Sequence, residues 1–363
     1  MASHDLTVMG GGIFGLSCAW EAARRGARVR LIERHAIGAG SSGGLVGALA
    51  PHVPENWNPK KQFQLESLLM AADWWAEIAA TGGTDPGYLR SGRLQPIPDD
   101  RALRNARARI VEARTLWQGR ADWHVIPATG AAWEPHSPTG WLIHDTLTAR
   151  LHPRRAANAL TAALRAKGVQ IDINDHAPQG PTLWATGYPG LLDLNTALGH
   201  PVGAGVKGQA LLLQHDARDL PQLFADALHI VPHADGTTAI GSTSENTWDN
   251  PTATDAQLDD ILTRARAALP ILRDAPVLDR WAGIRPRARS RAPMLGAWPG
   301  RPGQFIANGG FKIGFGMAPK VATTMADLIL NGQDSIPEGF RVENNLRPQP
   351  RGRYPTGAFS SRQ

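Results

Sequence analysis

The sequence predicts an α/β fold with two lobes, one built on a parallel sheet and one on a mainly antiparallel sheet. Its 363 residues are more than one small core needs. A strand, a glycine-rich turn, a helix and a second strand open the chain, and this β–α–β order is typical of a parallel sheet. From about residue 206 the pattern changes to short strands and turns, which favours an antiparallel sheet.

The opening β–α–β unit is the best-defined element of the sequence. We predict a strand over 6–9, a helix over 13–25 that ends at Gly26, and a second strand over 27–33. Further helices are predicted over 62–80, 101–117, 152–167, 255–269 and 319–330. Further strands are predicted over 93–98, 169–173, 182–187, 209–213, 229–232, 238–241 and 304–307.

These elements predict a nucleotide-binding domain that is interrupted in sequence. We assign it residues 1–50, 141–200 and 281–335, and we assign the inserted substrate domain residues 51–140 and 201–280. Residues 336–363 are rich in Pro, Arg, Asn and Ser, so we expect an extended or disordered tail. The predicted fold class is therefore a Rossmann-type domain with an inserted, mainly antiparallel α+β domain.

Composition and charge indicate which cellular compartment and which kinds of binding partner to expect. No apolar run reaches the roughly 18 residues that span a bilayer. Residues 1–5 lack the layout of a signal peptide, so we expect a cytoplasmic protein with no membrane partner. The single cysteine, Cys18, argues against a disulfide or a cysteine-based metal site. The net charge of +6 favours a basic active-site mouth for anionic substrates over a nucleic-acid partner.

The first glycine-rich loop predicts a dinucleotide site. Gly10 permits a tight turn, Gly12 lets a pyrophosphate approach the backbone, and Gly15 lets the helix pack on the sheet. The helix N-terminus offers free N–H groups to the phosphates. Glu33, at the end of the next strand, is placed to accept hydrogen bonds from ribose hydroxyls. We expect three neighbours to line the same site: Ile13, Phe14 and Arg34.

A second glycine-rich stretch over 38–44 favours FAD over NAD. Small residues there let a long, thin cofactor run beneath the backbone, and Ser41 and Ser42 supply hydroxyls near the phosphates. The same residues match the G-x-S-x-G pattern of a serine hydrolase. That nucleophile elbow requires a strand leading directly into the serine turn, whereas a loop precedes Ser42. We therefore predict bound FAD, with Ser41, Ser42, Gly43 and Gly44 at its site.

Several ordered motifs resemble the D-amino-acid oxidase and glycine oxidase family of flavoproteins. The resemblance runs to about Gly332 and is nearest to bacterial glycine-oxidase-like enzymes. Besides the two glycine-rich stretches, it rests on residues 184–187, 281–286 with Pro293 and Gly296, and 308–319. It implies non-covalent FAD, since the C-terminal region has no cysteine for attachment. It also implies these cofactor contacts: Ala185, Thr186, Gly187, Gly310, Lys312, Gly314 and Phe315.

The resemblance implies oxidation of the C–N bond of a small amino acid or secondary amine that carries a carboxylate. Arg285 matches the arginine that holds the substrate carboxylate, and a guanidinium suits two parallel hydrogen bonds. His229 stands where the family has a tyrosine, and it either contacts the substrate or is a core histidine. Lys312 stands where glycine oxidases have an arginine, so it faces either the substrate or the flavin. Both are predicted catalytic residues together with Arg285.

The electron acceptor and the assembly state stay open at this level. Oxygen would give peroxide, whereas a dehydrogenase of the same fold would reduce a quinone or another acceptor. A flavin oxidase acting on a modified tRNA base and a catalytically idle FAD-binding protein are further alternatives. A homo-oligomer is compatible with the sequence.

Overall fold

The fold is taken from a computed structural model, which describes residues 4–346 of the chain. The strands are β1 (Leu6–Met9), β2 (Val29–Glu33), β3 (Ala48–Leu49), β4 (Arg93–Pro96), β5 (Trp123–Pro127), β6 (Trp141–Asp145), β7 (Ala149–Arg150), β8 (Gln170–Ile173), β9 (Thr182–Trp184), β10 (Gly203–Leu213), β11 (Gln222–Ala225), β12 (Leu228–Pro232), β13 (Thr238–Gly241), β14 (Val277–Ala288), β15 (Met294–Ala297) and β16 (Gln304–Asn308). The helices are α1 (Ile13–Arg24), α2 (Pro59–Gly82), α3 (Asp100–Leu116), α4 (Pro153–Ala166), α5 (Gly187–Ala197), α6 (Ala256–Ala268), α7 (Gly314–Asn331) and α8 (Glu343–Leu346). Single 3₁₀ turns lie at Ser41–Gly43, Pro270–Leu272 and Glu338–Phe340.

The first sheet has six strands in the order β15-β16-β9-β1-β2-β8. All neighbours are parallel except β15 and β16. Strand β1 is central, with β2 on one side and β9 on the other, and helices α1, α2, α4 and α7 pack together on one core. Connections leave the carboxyl ends of β1 and β9 in opposite directions. A crevice of this kind is where doubly wound sheets bind ligands.

The second sheet has eight strands in the order β14-β10-β13-β12-β11-β4-β6-β5. All neighbours are antiparallel except β11 and β4. Leucine and isoleucine side chains such as Leu211 and Ile240 pack on one face beneath α6. The opposite face carries Ala210, Leu212 and Ala239 and meets the loop after the second glycine-rich stretch. This face therefore borders the first domain.

The predicted fold class is confirmed, but α7 and β10 begin five and six residues earlier than predicted. Helix α7 starts at Gly314, and Pro319 lies inside it, whereas the sequence prediction used the proline as the helix start. Strand β10 starts at Gly203 and pairs along its whole length with β14. Lys207 and Gln209 interrupt its apolar pattern. The hydrophobic periodicity therefore did not predict the first half of this strand.

Sheet membership differs from the predicted domain boundaries in three places. Residues 141–145 form β6 and residues 281–288 end β14, and both belong to the second sheet, although we assigned them to the nucleotide-binding domain. Helix α2 was assigned to the substrate domain, but its residues Phe63, Trp75 and Ile78 are buried in the core of the first sheet. In all three places, strand pairing or helix packing between distant parts of the chain determines the domain to which the segment belongs, and no local sequence pattern predicts it. The division into two domains stays a prediction.

The predicted tail is wrong for residues 336–346. Ile336, Phe340 and Val342 are buried, and α8 ends this stretch. Phe340 packs against Phe63 of α2, with ring centroids 4.8 Å apart. Burying these apolar side chains outweighs the polar composition of the segment. The remainder of the predicted tail, 347–363, lies outside the described residues.

In the part of the chain that the structure describes, no helix is both long and apolar enough to cross a membrane. Residues 4–346 also contain no cluster of three or more His, Cys, Asp or Glu side chains able to hold a metal. Cys18 is buried within α1, and burial raises the pKa of its thiol.

Candidate active site

An elongated cleft runs across the carboxyl ends of β1, β9 and β16 and continues to the open face of the second sheet. Its long section is bordered by the first glycine-rich loop, the turn after β9 and the loop before α7. A shorter section lies between the second glycine-rich stretch and β14. The two sections share lining residues, so they form one continuous path: Ile13, Ser41, Ser42, Phe311 and Gly314.

The glycine turn after β1 has no room for larger residues. Gly10 has φ +109°, and a Cβ atom there would overlap the carbonyl of Ala185. A Cβ atom on Gly15 would overlap the carbonyl of Gly10, so helix and turn pack backbone to backbone. Gly12 caps α1 without a side chain, and the first turn of α1 has no acidic residue. The positive end of α1 therefore faces the cleft, as a phosphate site requires.

Two side chains brace this helix end. One carboxylate oxygen of Glu33 accepts the N–H of Gly11 at 2.7 Å, and the other accepts the N–H of His35 at 2.9 Å. Ser42 Oγ accepts the N–H of Ile13 at 2.9 Å. The carboxylate thus lies at the cleft wall beside the glycine turn, where a ribose would lie if a dinucleotide followed the cleft.

Most residues predicted to bind the cofactor line the cleft: Gly10, Gly12, Ile13, Phe14, Glu33, Arg34, Ser41, Ser42, Gly44, Ala185, Thr186, Gly187, Gly310, Gly314 and Phe315. Gly15 and Gly43 lie behind its wall, and a Cβ atom on Gly43 would overlap the carbonyl of Gly38. Arg34 reaches the rim and pairs with Asp175, Nε to Oδ1, at 3.0 Å. Their roles toward a cofactor stay predictions.

A second helix end faces the other part of the cleft. Helix α7 begins at Gly314, and its first turn carries no acidic residue. The loop before it is anchored by Asn308, whose side chain donates to the carbonyl of Gly187 at 2.9 Å and accepts the N–H of Gly309 at 2.7 Å. A cleft with one helix N-terminus for phosphates and another for an electron-rich ring fits FAD.

Arg285 lies on β14 at the end of the cleft. Its Nη1 donates to the carbonyl of Thr243 at 3.2 Å, and its guanidinium covers Gly208, where a Cβ atom would overlap it. Burial lowers the pKa of Arg285 to about 10, and the charge of Glu245 opposes this shift. The side chain therefore stays cationic at neutral pH. It offers unused N–H donors to the cleft.

A buried polar network holds the segment after β13 that carries Thr243. Lys207 Nζ lies 3.4 Å from a carboxylate oxygen of Glu245, and both side chains are buried. Gln209 Nε2 donates to Glu245 at 3.0 Å and to Asp255 at 2.8 Å. The hydroxyl of Thr243 donates to Glu245 and accepts the N–H of Gln209 at 2.8 Å. These bonds fix the carbonyl on which Arg285 rests.

Lys312 enters the same section of the cleft from the loop before α7. Lys312 is an exposed residue, and its ammonium lies over the Phe311 ring, 5.7 Å from the centroid. Desolvation lowers the pKa of Lys312 to about 8, and the positive charge of Arg285 adds to the effect. Lys312 lines the section beside Arg285 and not the long section, so it faces the end of the cleft that Arg285 occupies.

His229 is not in contact with Arg285. The strand register puts His229, Gly241, Ala210 and Trp281 in one row across the face toward the cleft, but three strand spacings, roughly 14 Å, separate His229 from β14. Its Nδ1 is buried without a hydrogen-bond partner, and its ring packs on Phe224 at 4.8 Å. Burial lowers the pKa of His229 to about 3, so the imidazole is neutral.

The sequence reasoning missed the support of Arg285. Lys207, Gln209 and Glu245 were not singled out, although a lysine and a glutamine within an apolar strand are a detectable signal of a buried network. Trp281 was noted only as part of a motif. Its ring lies where a Cβ atom on Gly283 would be and 3.4 Å from that of Gly44, so it closes one wall of the cleft.

Comparison with known proteins agrees with this architecture. The sequence model of the DAO family, described as FAD dependent oxidoreductase, matches residues 5–328. A glycine oxidase of Pseudomonas aeruginosa is 27% identical, with 92% of this chain and 96% of that protein covered. A bifunctional protein ThiO/ThiG of a Nostoc species is also 27% identical over 90% of this chain. The chain spans about half of that longer relative, 53%.

Solved structures share the fold. The crystal structure of glycine oxidase from Geobacillus kaustophilus superposes with a TM-score of 0.79 at 22% identity, covering 93% of this chain and 98% of that one. An iminodiacetate oxidase from a Chelativorans species gives 0.80 at 20% identity with the same coverage. The chain therefore belongs to the DAO family of FAD-dependent oxidoreductases. The predicted cofactor, FAD, and the predicted enzyme class are confirmed.

Proposed function

We propose that the enzyme oxidises the C–N bond of a small amino acid or secondary amine that carries a carboxylate. The observation that carries the proposal is Arg285, a desolvated cation without an acidic partner within 4.0 Å in residues 4–346, at the substrate end of the cleft. Such a guanidinium can hold a carboxylate through two charge-assisted hydrogen bonds. The names of two similar proteins, a glycine oxidase and an iminodiacetate oxidase, support the same substrate class.

The residues of the cleft bind the substrate and orient it toward the cofactor. Arg285 fixes the carboxylate, which turns the neighbouring C–H bond toward the cofactor end of the cleft. FAD, when bound, supplies the acceptor for a hydride. The N-terminus of α7 favours negative charge near Gly314. Loss of hydride and a proton from the amine leaves an imine, and water converts the imine to a carbonyl compound and a free amine. We propose oxygen as the acceptor, with peroxide as the second product.

The test is anaerobic reduction of the holoenzyme by a panel of glycine, sarcosine, D-amino acids and L-imino acids. We expect at least one carboxylated amine to bleach the flavin absorbance, and re-aeration to restore it with one peroxide per turnover. Arg285→Ala should lower kcat/KM roughly 100- to 10,000-fold, since it removes two charged hydrogen bonds that contribute about 1.5–3 kcal/mol each. A flavin that no carboxylated amine reduces would contradict the proposal.

The reoxidation of the reduced flavin distinguishes an oxidase from a dehydrogenase. If the reduced flavin persists under air but reacts with a quinone or dye, the acceptor is not oxygen. Activity confined to tRNA would favour the modified-base alternative. No feature of the described residues favours either alternative over the amine oxidase.

A further inference from the structure

The substrate end of the cleft carries two positive charges and no negative one. Arg285 and Lys312 line this section, and the other described residues around it are apolar side chains, glycines and two serines. No aspartate or glutamate of the described chain borders it. A substrate that enters here meets two cations.

The backbone brings these two cations together. Arg287 and Gly310 form an antiparallel bridge, and the residue before Lys312 donates its N–H to the carbonyl of Pro286 at 2.9 Å. The pairing ends at this bridge, because Phe311 has φ +46° and Lys312 lies in the turn before α7; this turn brings Lys312 to the same section of the cleft as Arg285. The two charges therefore face one space.

Neither cation is neutralised by the protein. The guanidinium of Arg285 is bonded to the carbonyl of Thr243, and the nearest acid, Glu245, is engaged in the buried network. In residues 4–346 the ammonium of Lys312 has no hydrogen bond or ion pair, and it lies 5.7 Å from the centroid of the Phe311 ring. Within residues 4–346, no carboxylate lies within 4.0 Å of either group.

This arrangement is costly without a ligand. Like charges that line one section of a cleft repel each other, and both groups are partly removed from water. One carboxylate that is gripped by both N–H arms of Arg285 leaves Lys312 unpaired. A second anionic group on the ligand would pair with Lys312 and balance its charge.

We infer that the substrate carries two acidic groups, one carboxylate held by Arg285 beside the reacting carbon and a second held by Lys312. The inference rests on the proposed function and narrows its substrate class. An amino acid whose nitrogen bears a carboxyalkyl group has this chemistry, and so does an amino acid with an acidic side chain. Glycine, sarcosine and alanine lack the second group.

Binding can be tested without turnover. Succinate and propionate have no amine, so neither reduces the flavin, and each can be titrated into the oxidised holoenzyme by the change in flavin absorbance. We expect succinate to bind at least tenfold more tightly than propionate. In Lys312→Met the ratio should fall to about two or less, whereas Arg285→Met should weaken both ligands. Lys320→Met is the matched control, since Lys320 pairs with Glu66 on the far side of α7.

Turnover distinguishes the two sources of a second carboxylate. N-(carboxymethyl)glycine is compared with sarcosine, and aspartate with alanine, by anaerobic flavin reduction. The pair with the larger preference for the diacid identifies the substrate type, and Lys312→Met should abolish that preference. If succinate binds selectively but no amine bleaches the flavin, the proposed function fails while the two-anion site stands.

Three results would overturn the inference. One is equal binding of succinate and propionate to the wild-type enzyme, a measurement that needs no variant. Another is a ratio unchanged in Lys312→Met. The third is a Lys312→Met enzyme with a shifted flavin reduction potential and an unchanged ratio, which would place the ammonium on the cofactor instead.

Discussion

The guanidinium of Arg285 lies on Gly208, in the space that a Cβ atom on Gly208 would occupy. Gly208 pairs with Gly283, whose own Cβ position is covered by the ring of Trp281. The paired glycines on β10 and β14 thus leave room for the large side chains of Arg285 and Trp281 to lie flat on the sheet. The direction of the guanidinium is therefore set by a residue that never touches a substrate.

Gly208→Ala should displace Arg285 and weaken carboxylate binding. The methyl group would push the guanidinium off the carbonyl of Thr243, and we expect KM for a carboxylated amine to rise about tenfold, the cost of roughly 1.4 kcal/mol. Kinetics, flavin content and melting temperature should be measured together. Gly339→Ala is the matched control, because a Cβ atom there meets nothing within 4 Å. An unchanged KM would mean that Arg285 does not bind the carboxylate from this position.

Glu33→Ala should weaken FAD binding. The carboxylate braces the N–H of Gly11 and lies where a ribose would donate hydrogen bonds. Losing both functions should raise the Kd of FAD roughly tenfold to 100-fold, since hydrogen bonds to a charged group contribute about 1.5–3 kcal/mol. Fluorescence titration of the apoprotein measures this. Glu112→Ala, at an exposed site on α3, should leave the Kd unchanged. Equal affinity in Glu33→Ala would remove Glu33 from the cofactor site.

Local chemistry explains what the sequence could predict. The turn at Gly10 and its packing against Gly15 depend on a few adjacent residues, so both could be inferred before the fold was known. The position of Arg285 could be predicted only through resemblance to a family. Thr243 and Lys312, which lie beside it, belong to loops elsewhere in the chain, and only the tertiary fold brings them to Arg285.

Other features depend on tertiary contacts with no local signal. Phe340 looked like part of a polar tail, yet it is buried against Phe63, nearly 280 residues earlier in the chain. Pro319 looked like a helix start, but α7 begins at Gly314 and tolerates the proline inside. For His229 the sequence left open a substrate contact or a core histidine, and strand order places it three strands from Arg285.

His229 should make the protein less stable in mild acid. An unfolded imidazole takes up a proton near pH 6.5, whereas the folded pKa is lowered to about 3 by burial and by the charges of Arg93 and Lys312. Between these values the unfolded state binds more protons, so the free energy of unfolding falls as pH drops, by up to about 1.4 kcal/mol per pH unit. Urea unfolding at pH 7.5 and pH 5 measures the slope.

His229→Phe should flatten that slope, and exposed His136→Phe should not. A residual slope is expected, because burial also lowers the pKa of His233 to about 3. If His229→Phe keeps the full wild-type slope, the imidazole is not held neutral by the fold.

Lys312 gives the affinity for a diacid a distinctive pH dependence. With a pKa of about 8, the ammonium is charged below that pH and loses its charge as pH rises through it, well before an ordinary lysine does. Succinate should therefore bind about tenfold more weakly at pH 9.5 than at pH 7, while propionate, held by Arg285, changes little. Lys312→Arg keeps its charge and should remove the dependence. A succinate Kd that stays constant to pH 9.5 in the wild type would show that the ammonium does not contribute to diacid binding.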